Sequence, residues 1–454
     1  MNNDQTGGAA PSTGISGPIL TFGFATAVAM WLLWLVTNLP GLDLPAIVTG
    51  PAFLVVLAAG CFWAGRYRQP AWIGGLGAGL VAGALDLLVL LSLVSGAGSA
   101  QPPDAGPAPG MAGLTPHAAL WASGFVAMCA LVGAGAGALG RLRPAPQKPR
   151  NWLARFGVVT CLATFPLLVL GGAVTSTDSG LSVPDWPGTY GANMFLYPIG
   201  LMTEHRIFLE HSHRLFGALI GLTTIVFAVQ IFLARQRPAL LGWGAGMIAL
   251  VIVQGLLGGF RVTEMNAGLG VVHGVMAQIF LGLMAALTAT LAGRPAACRL
   301  APGLAIGLGA ALLAQLSMGA TYRHLSHTPD PSSGITHILW THVAFSLVVA
   351  WLAMAAGARL RRSESVVCHR LGGGLITVVS LQLLLGVGAL AVVLLWPAAP
   401  TPTSADVPTA DPTPALAAAA TLAQQANGAL LLTLAAVALA WARPRPHKAE
   451  QSAS

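Results

Sequence analysis

The sequence predicts an all-α polytopic membrane protein of about twelve transmembrane helices, the last eight forming a core of two pseudo-repeated four-helix bundles. Three observations predict it. Of the 454 residues, 55% are hydrophobic and only 8% are charged, whereas soluble domains carry about a quarter charged residues. The apolar residues are gathered into runs of the roughly 20 residues needed to cross a ~30 Å hydrocarbon layer. Lys and Arg collect in alternate connections between those runs, as in a chain threaded back and forth under the positive-inside rule.

In order, the runs fall at about 18–39, 46–65, 71–96, 115–140, 153–174, 213–234, 239–260, 269–292, 301–321, 337–358, 371–396 and 419–442. With both termini placed in the cytoplasm, the inside connections carry Arg66 and Arg68, then Arg141, Arg143, Lys148, Arg150 and Arg155, then Arg235 and Arg237. The later ones carry Arg294 and Arg299, then Arg359, Arg361, Arg362 and Arg370, and Arg443, Arg445 and Lys448 follow the last run. Eighteen of the 22 Lys and Arg are thus inside, and only Arg206, Arg214, Arg261 and Arg323 remain outside. The net charge of +8 is therefore topological, and with no basic stripe among aromatics it does not point to nucleic acid. Met1 to Gly17 contains no Lys or Arg, hence no signal-peptide n-region, and the first run is expected to be retained. Cys61, Cys129, Cys161, Cys298 and Cys368 form no CxxC or zinc-type pattern, and none falls in an outside loop. No structural disulfide is expected.

Three regions follow. Residues 1–140 hold four runs with Asp86 as their one in-span acid, His117 at an outer end, and a low-complexity Pro/Gly/Ala connection at 97–114. The sequence assigns this extension no role. A basic linker at 141–151 separates it from the core, which divides into 152–296 and 300–450, with a second structureless outer connection at 397–418. The core is internally repeated. Gln254-Gly-Leu-Leu-Gly258, Gln315-Leu-Ser-Met-Gly319 and Gln382-Leu-Leu-Leu-Gly386 recur in its odd-numbered runs; His213 and His342 are 129 residues apart, and Gly258 and Gly386 are 128 apart. Matching offsets of this kind mark a tandem four-helix unit.

The chemistry is concentrated at Glu210-His211-Ser212-His213-Arg214, at the mouth of an apolar run. Titratable groups beside lipid ordinarily face a cavity or a partner. In a helix from about Glu210, Glu210 and His213 share a face at i,i+3, and Glu210 and Arg214 pair at i,i+4. Before this turn lies a long outer loop containing Gly180-Leu-Ser-Val-Pro-Asp-Trp-Pro187, whose two prolines stiffen the backbone around Trp186 and make it a candidate lid. Nine of eleven His lie on or near the outer half. A single His at a helix end is ordinarily structural, but imidazoles at one depth on separate helices of a bundle are the means of holding a metal or heme. His213 and His273 have the depth to approach one iron, and Arg214, Arg261 and Arg323 lie at the level where anionic propionates would emerge. With no outer Cys and no carboxylate cluster, zinc and copper fit less well.

Gly171-Gly-Ala-Val-Thr, Gly180-Leu-Ser-Val-Pro-Asp-Trp-Pro187, Glu210-His-Ser-His-Arg214, Gln254-Gly-Leu-Leu-Gly258 and His273-Gly-Val-Met-Ala-Gln278, in this order, resemble the heme A synthase family. The resemblance covers about 152–450. It implies an eight-helix fold of two pseudo-repeated bundles, with a His pair in each, and oxidation of the C8 methyl of heme O to the formyl of heme A for cytochrome oxidase. It implies that His213 and His273 hold heme O, that Glu210 acts near the oxidised methyl, and that His342 holds a protoheme cofactor. The partners implied are heme O, an electron donor the sequence does not identify, and heme O synthase and cytochrome oxidase assembly factors. The site would face outward from the cytoplasmic membrane. The sequence departs from the family at Gln424, where the fourth His is due, which leaves His337 as an alternative partner for His342. It also lacks the outer-loop Cys pair of some members. Gln424 keeps open an electron-transfer protein or a non-enzymatic oxidase-assembly factor on the same fold. A transporter is disfavoured because the titratable groups lie toward one face and not at the midplane.

Overall fold

The computed structural model describes residues 16–42, 44–94, 115–145, 149–202, 204–236, 238–326, 334–395 and 415–442. The low-complexity connection at 97–114, most of that at 397–418, and His327 lie outside the described residues. Twelve helices are described: α1 (Gly17–Thr37), α2 (Ala46–Tyr67), α3 (Ala71–Val94), α4 (Ala118–Leu139), α5 (Trp152–Ser176) and α6 (His205–Leu233). They continue as α7 (Pro238–Thr263), α8 (Ala267–Ala292), α9 (Pro302–Leu325), α10 (Gly334–Arg361), α11 (Val366–Leu395) and α12 (Ala415–Trp441). Each is long and apolar enough to cross a membrane, and the chain is a multi-pass membrane protein. The expected runs and these helices coincide closely except at α6, which starts two turns before the apolar run. Its first residues, His205 and Arg206, are polar and hide the onset from a count of apolar residues. His205 and His211 both lie on α6.

The chain forms two compact units, residues 1–255 with 262–264, and residues 256–261 with 265–454. In the first, the extension is packed directly onto the opening helices of the core. An aromatic seam joins them: Phe24 of α1 against Phe156 of α5 at 5.1 Å, Trp31 of α1 against Phe216 of α6 at 5.4 Å, and Trp34 against Phe208 at 5.9 Å. Trp152 at the start of α5 takes Tyr67 of α2 at 5.4 Å. Offset and edge-on ring pairs of this kind add about 0.5–1.5 kcal/mol each beyond the area they bury. α3 and α4 approach almost backbone to backbone. A Cβ on Gly75 would stand 2.0 Å from the Gly133 carbonyl oxygen, so only glycine fits there. Asp86 of α3 is buried at 3% exposure in this bundle.

In the second unit, Leu308, Leu312, Ala353, Leu360, Leu375, Leu431 and Ala435 share one apolar core drawn from α9, α10, α11 and α12. Asn266 caps α8 by accepting from the Leu269 N–H at 3.2 Å. The expectation of no disulfide is overturned: Cys298 and Cys368 are joined. The reason is local. The α8–α9 connection folds against the α10–α11 connection, where the Arg299 N–H donates to Ser363 Oγ at 2.9 Å and the Arg299 guanidinium pairs with Glu364 at 2.7 Å. Cys298 and Cys368 lie in or beside those two connections, so it is the meeting of the connections that brings the pair together.

Candidate functional site

The Glu210 turn is built on α6 as the helical spacing requires. Arg214 Nη2 meets Glu210 Oε1 at 2.7 Å, and both side chains are nearly enclosed. The second carboxylate oxygen accepts the Val183 N–H at 2.9 Å. Arg214 also donates to the carbonyls of Val183 at 2.8 Å, Asp185 at 2.6 Å and Gly188 at 2.8 Å. Four of the five guanidinium donors are thus engaged, and three of them close the Pro/Trp loop down on the helix. Asp185 completes the loop by accepting from the N–H groups of Tyr190 and Gly191 at 2.7 and 2.9 Å. The Tyr190 hydroxyl donates to the Ser182 carbonyl. His211, fully buried, meets Thr189 Oγ1 through Nδ1 at 3.1 Å and packs on the Tyr197 ring at 5.4 Å. Burial, with Tyr190 and Asp185 nearby, pushes the Tyr197 phenol up to about 12, so it stays neutral at physiological pH. A desolvated ion pair of this quality is costly to break from one side, because the other charge is left buried.

The imidazoles share one kind of seat. A Cβ on Gly171 would lie 2.9 Å from His213 Cε1, one on Gly258 would lie 3.2 Å from His273 Cε1, and one on Gly319 would lie 2.9 Å from His342 Cε1. Glycine on the preceding helix lets each ring lie against backbone. At His342 the seat is spelled out: Nδ1 donates to the Gln315 carbonyl at 3.0 Å, which makes Nδ1 the protonated nitrogen, and Nε2 accepts from the Gln315 side-chain amide at 3.3 Å. Ligating imidazoles are held in this way, the far nitrogen fixed by a carbonyl. The fourth seat has the same frame with an amide in it. A Cβ on Gly386 would lie 3.5 Å from Gln424 Nε2. Gln382 donates to the Gln424 carbonyl at 3.2 Å, and Asn427 donates to Gln382 Oε1 at 2.6 Å and to the Val378 carbonyl at 2.9 Å.

The remaining expected residues are placed as follows. Trp186 is 37% exposed on the loop that Arg214 fastens. Arg261 and Arg323 lie in the last turns of α7 and α9. His337 is exposed near the start of α10, while His342 is half-buried. His213 belongs to the first compact unit, and His273 and His342 to the second. Among the described residues no group of three or more His, Cys, Asp or Glu forms a metal site.

The model of the cytochrome oxidase assembly protein family, COX15-CtaA, matches residues 154–405, more than half of the chain. The chain belongs to this family. The match begins just inside α5 and so leaves the extension outside it. Among curated relatives, the heme A synthase of Hyphomonas neptunium is 28% identical over 219 residues, covering 38% of this chain and 62% of the relative. The heme A synthase of Methylorubrum populi is 30% identical over 272 residues, covering 56% and 65%. The chain thus spans less than two thirds of these relatives' lengths. No solved structure matches.

Several residues of the site escaped the sequence reading. Val183 and Gly188 take part through their backbones, which no side-chain pattern can signal. His211 and Thr189 form a pair 22 residues apart. The glycine opposite each imidazole did carry a signal. Gly258, Gly319 and Gly386 end the repeated Gln/Gly motif, but only the packing shows that what they make room for is a ring or an amide.

Proposed function

We propose that this chain carries out the heme A synthase reaction, oxidising the C8 methyl of heme O to the formyl of heme A for cytochrome oxidase. The observation that carries the reading is the Glu210 carboxylate, buried, fixed at both oxygens, and one helical turn from His213. Each of two hydroxylations would insert one atom of dioxygen into a C–H bond of the methyl, the other atom leaving as water with two electrons from the donor and two protons. The geminal diol then loses water to leave the formyl group. Bound heme O supplies both the methyl and the iron. His213 and His273 are the residues that would hold it, as the resemblance implies, and a glycine of the preceding helix leaves room for each ring. Glu210, held so that it cannot reorient, would stabilise positive charge developing at the methyl carbon and steer protons there. Arg214 and the loop hold it there and keep water from it. Arg261 and Arg323 lie at helix ends where propionates would emerge. His342 suits a protoheme on one side, whereas Gln424 does not supply a second imidazole, so no step is routed through that half.

In this reading both termini are cytoplasmic and the Glu210 turn faces outward. Residues 1–140 brace α5 and α6, residues 152–296 hold the substrate, and residues 300–450 form the second bundle. Heme O synthase and an electron donor are its partners. The amide in the fourth seat favours a second reading, a heme-handling assembly factor without oxidation. The test is to purify the protein from cells with and without a heme O source, extract the hemes and identify them by mass. Heme A or its hydroxylated precursor supports oxidation; protoheme alone, with heme O supplied, supports the second reading.

A further inference from the structure

The first turn of α8 brings together two basic groups that the sequence did not pair. A Cβ on Gly270 would lie 3.0 Å from His324 Nδ1 and 3.2 Å from Arg261 Nε, so the imidazole from the end of α9 and the guanidinium from the end of α7 lie side by side over one point of α8. A Cβ on Gly274 would lie 3.8 Å from His324 Nε2, so that ring runs along α8 for about a turn. Any larger residue at position 270 would push both groups away. Gly270, His273 and Gly274 are related by i,i+3 and i,i+4 and share a face. The two basic groups therefore sit on the His273 face, displaced about one turn toward the start of the helix. That start adds the partial positive charge of a helix N-terminus, although the Leu269 and Gly270 N–H groups are themselves taken up by Asn266. Arg261, His273 and His324 are all half-buried.

We infer that Arg261 and His324, over the first turn of α8, form the seat of a propionate carboxylate of the heme that His273 ligates. The inference rests on the proposed function and adds His324, a residue outside every motif that carries the family resemblance. The chemistry matches. A guanidinium offers a carboxylate a planar fork, an imidazole N–H supplies another donor, and propionates leave one edge of the macrocycle on short arms, as the offset of the pair from His273 requires. A phosphate headgroup at the membrane surface would suit the same donors, so the test separates the two.

Full-length protein carrying His342→Ala, which removes binding at that seat, is titrated in phosphatidylcholine nanodiscs with heme O and with heme O dimethyl ester, following the Soret band. The same is done after adding His324→Ala, Arg261→Ala, or both. Loss of a charge-assisted hydrogen bond predicts a roughly tenfold weaker affinity for free-acid heme O in each single variant. The double variant should lose less than the product of the two, because both residues hold one group. The ester should bind alike to all four proteins, and Arg261→Lys should restore part of the loss. Equal affinity of the unsubstituted seat for acid and ester overturns the inference and leaves the proposed function standing, as does equal loss of both ligands in the variants. Competition by phosphatidylglycerol that disappears in the variants, with acid and ester still equal, assigns the seat to a lipid headgroup instead. If neither form of heme O binds, the proposed function falls together with the inference.

Discussion

His213 and His342 are seated alike, each ring against a glycine of the preceding helix, yet their surroundings differ. Within one turn of His213 lie a buried carboxylate and a guanidinium, with a loop fastened on them by four hydrogen bonds. Around His342 the partners are amide and carbonyl groups of Gln315. In the seat where the repeat calls for another imidazole, Gln424, Gln382 and Asn427 form a neutral chain. The duplicated scaffold carries the seat, and the buried carboxylate and its guanidinium partner lie beside the first copy of it. A buried carboxylate needs fixed partners to be tolerated, which is why the first copy also carries the long folded loop. A neutral amide network can be satisfied from within the helices.

Substitutions can break or sharpen this contrast. The largest effect is expected from Arg214→Met, which leaves Glu210 buried without its partner and frees the loop. A loss of about 3–5 kcal/mol is expected, read as a lower unfolding temperature and new protease cleavage within 179–190. Unchanged stability and protection would mean that the loop is held by other contacts. Next, Glu210→Gln keeps the shape and removes the charge. Heme A formation should fall roughly 10²- to 10³-fold, the usual consequence of removing one preorganised electrostatic group, while heme O is retained. Undiminished product would take Glu210 out of the chemistry. A matched pair follows. Gly171→Val should cost about 1–3 kcal/mol by overpacking and perturb the optical spectrum of heme bound at His213. Gly386→Val should be milder, because its neighbour is the end of a flexible amide at 3.5 Å. Equal effects would show the two seats to be equally rigid. The smallest effect on activity is expected from Gln424→His, which should leave product formation nearly unchanged and shift any heme on His342 toward a six-coordinate, bis-imidazole spectrum. No spectral change on heme-loaded protein would break the correspondence between the fourth seat and the other three.

Much of the site was legible because it follows helical arithmetic. Glu210 and Arg214 are four residues apart on one helix, and the ion pair follows from that spacing alone. Gln424 was legible as the odd member of a repeat. The engagement of Arg214 with the carbonyls of Val183, Asp185 and Gly188 was not legible, because a loop's path is not written in any periodicity. For the same reason His324 stood in the sequence as one more histidine at a helix end. Its place beside Arg261 depends on three helices meeting at Gly270.

The sequence by itself determined the twelve helices and where they stop. Each membrane crossing is a local matter of about twenty apolar residues whose backbone must satisfy its own hydrogen bonds, and basic residues in alternate connections set the expected direction of threading. Only the tertiary structure decided which helices touch. It laid α1 along α5 and α6 through Phe24, Trp31 and Trp34, joined Cys298 to Cys368, and seated each imidazole on a glycine. Lipid-facing and protein-facing apolar residues look alike in composition. What separates them is close packing and the pairing of a few polar groups, and both depend on residues far apart in the chain.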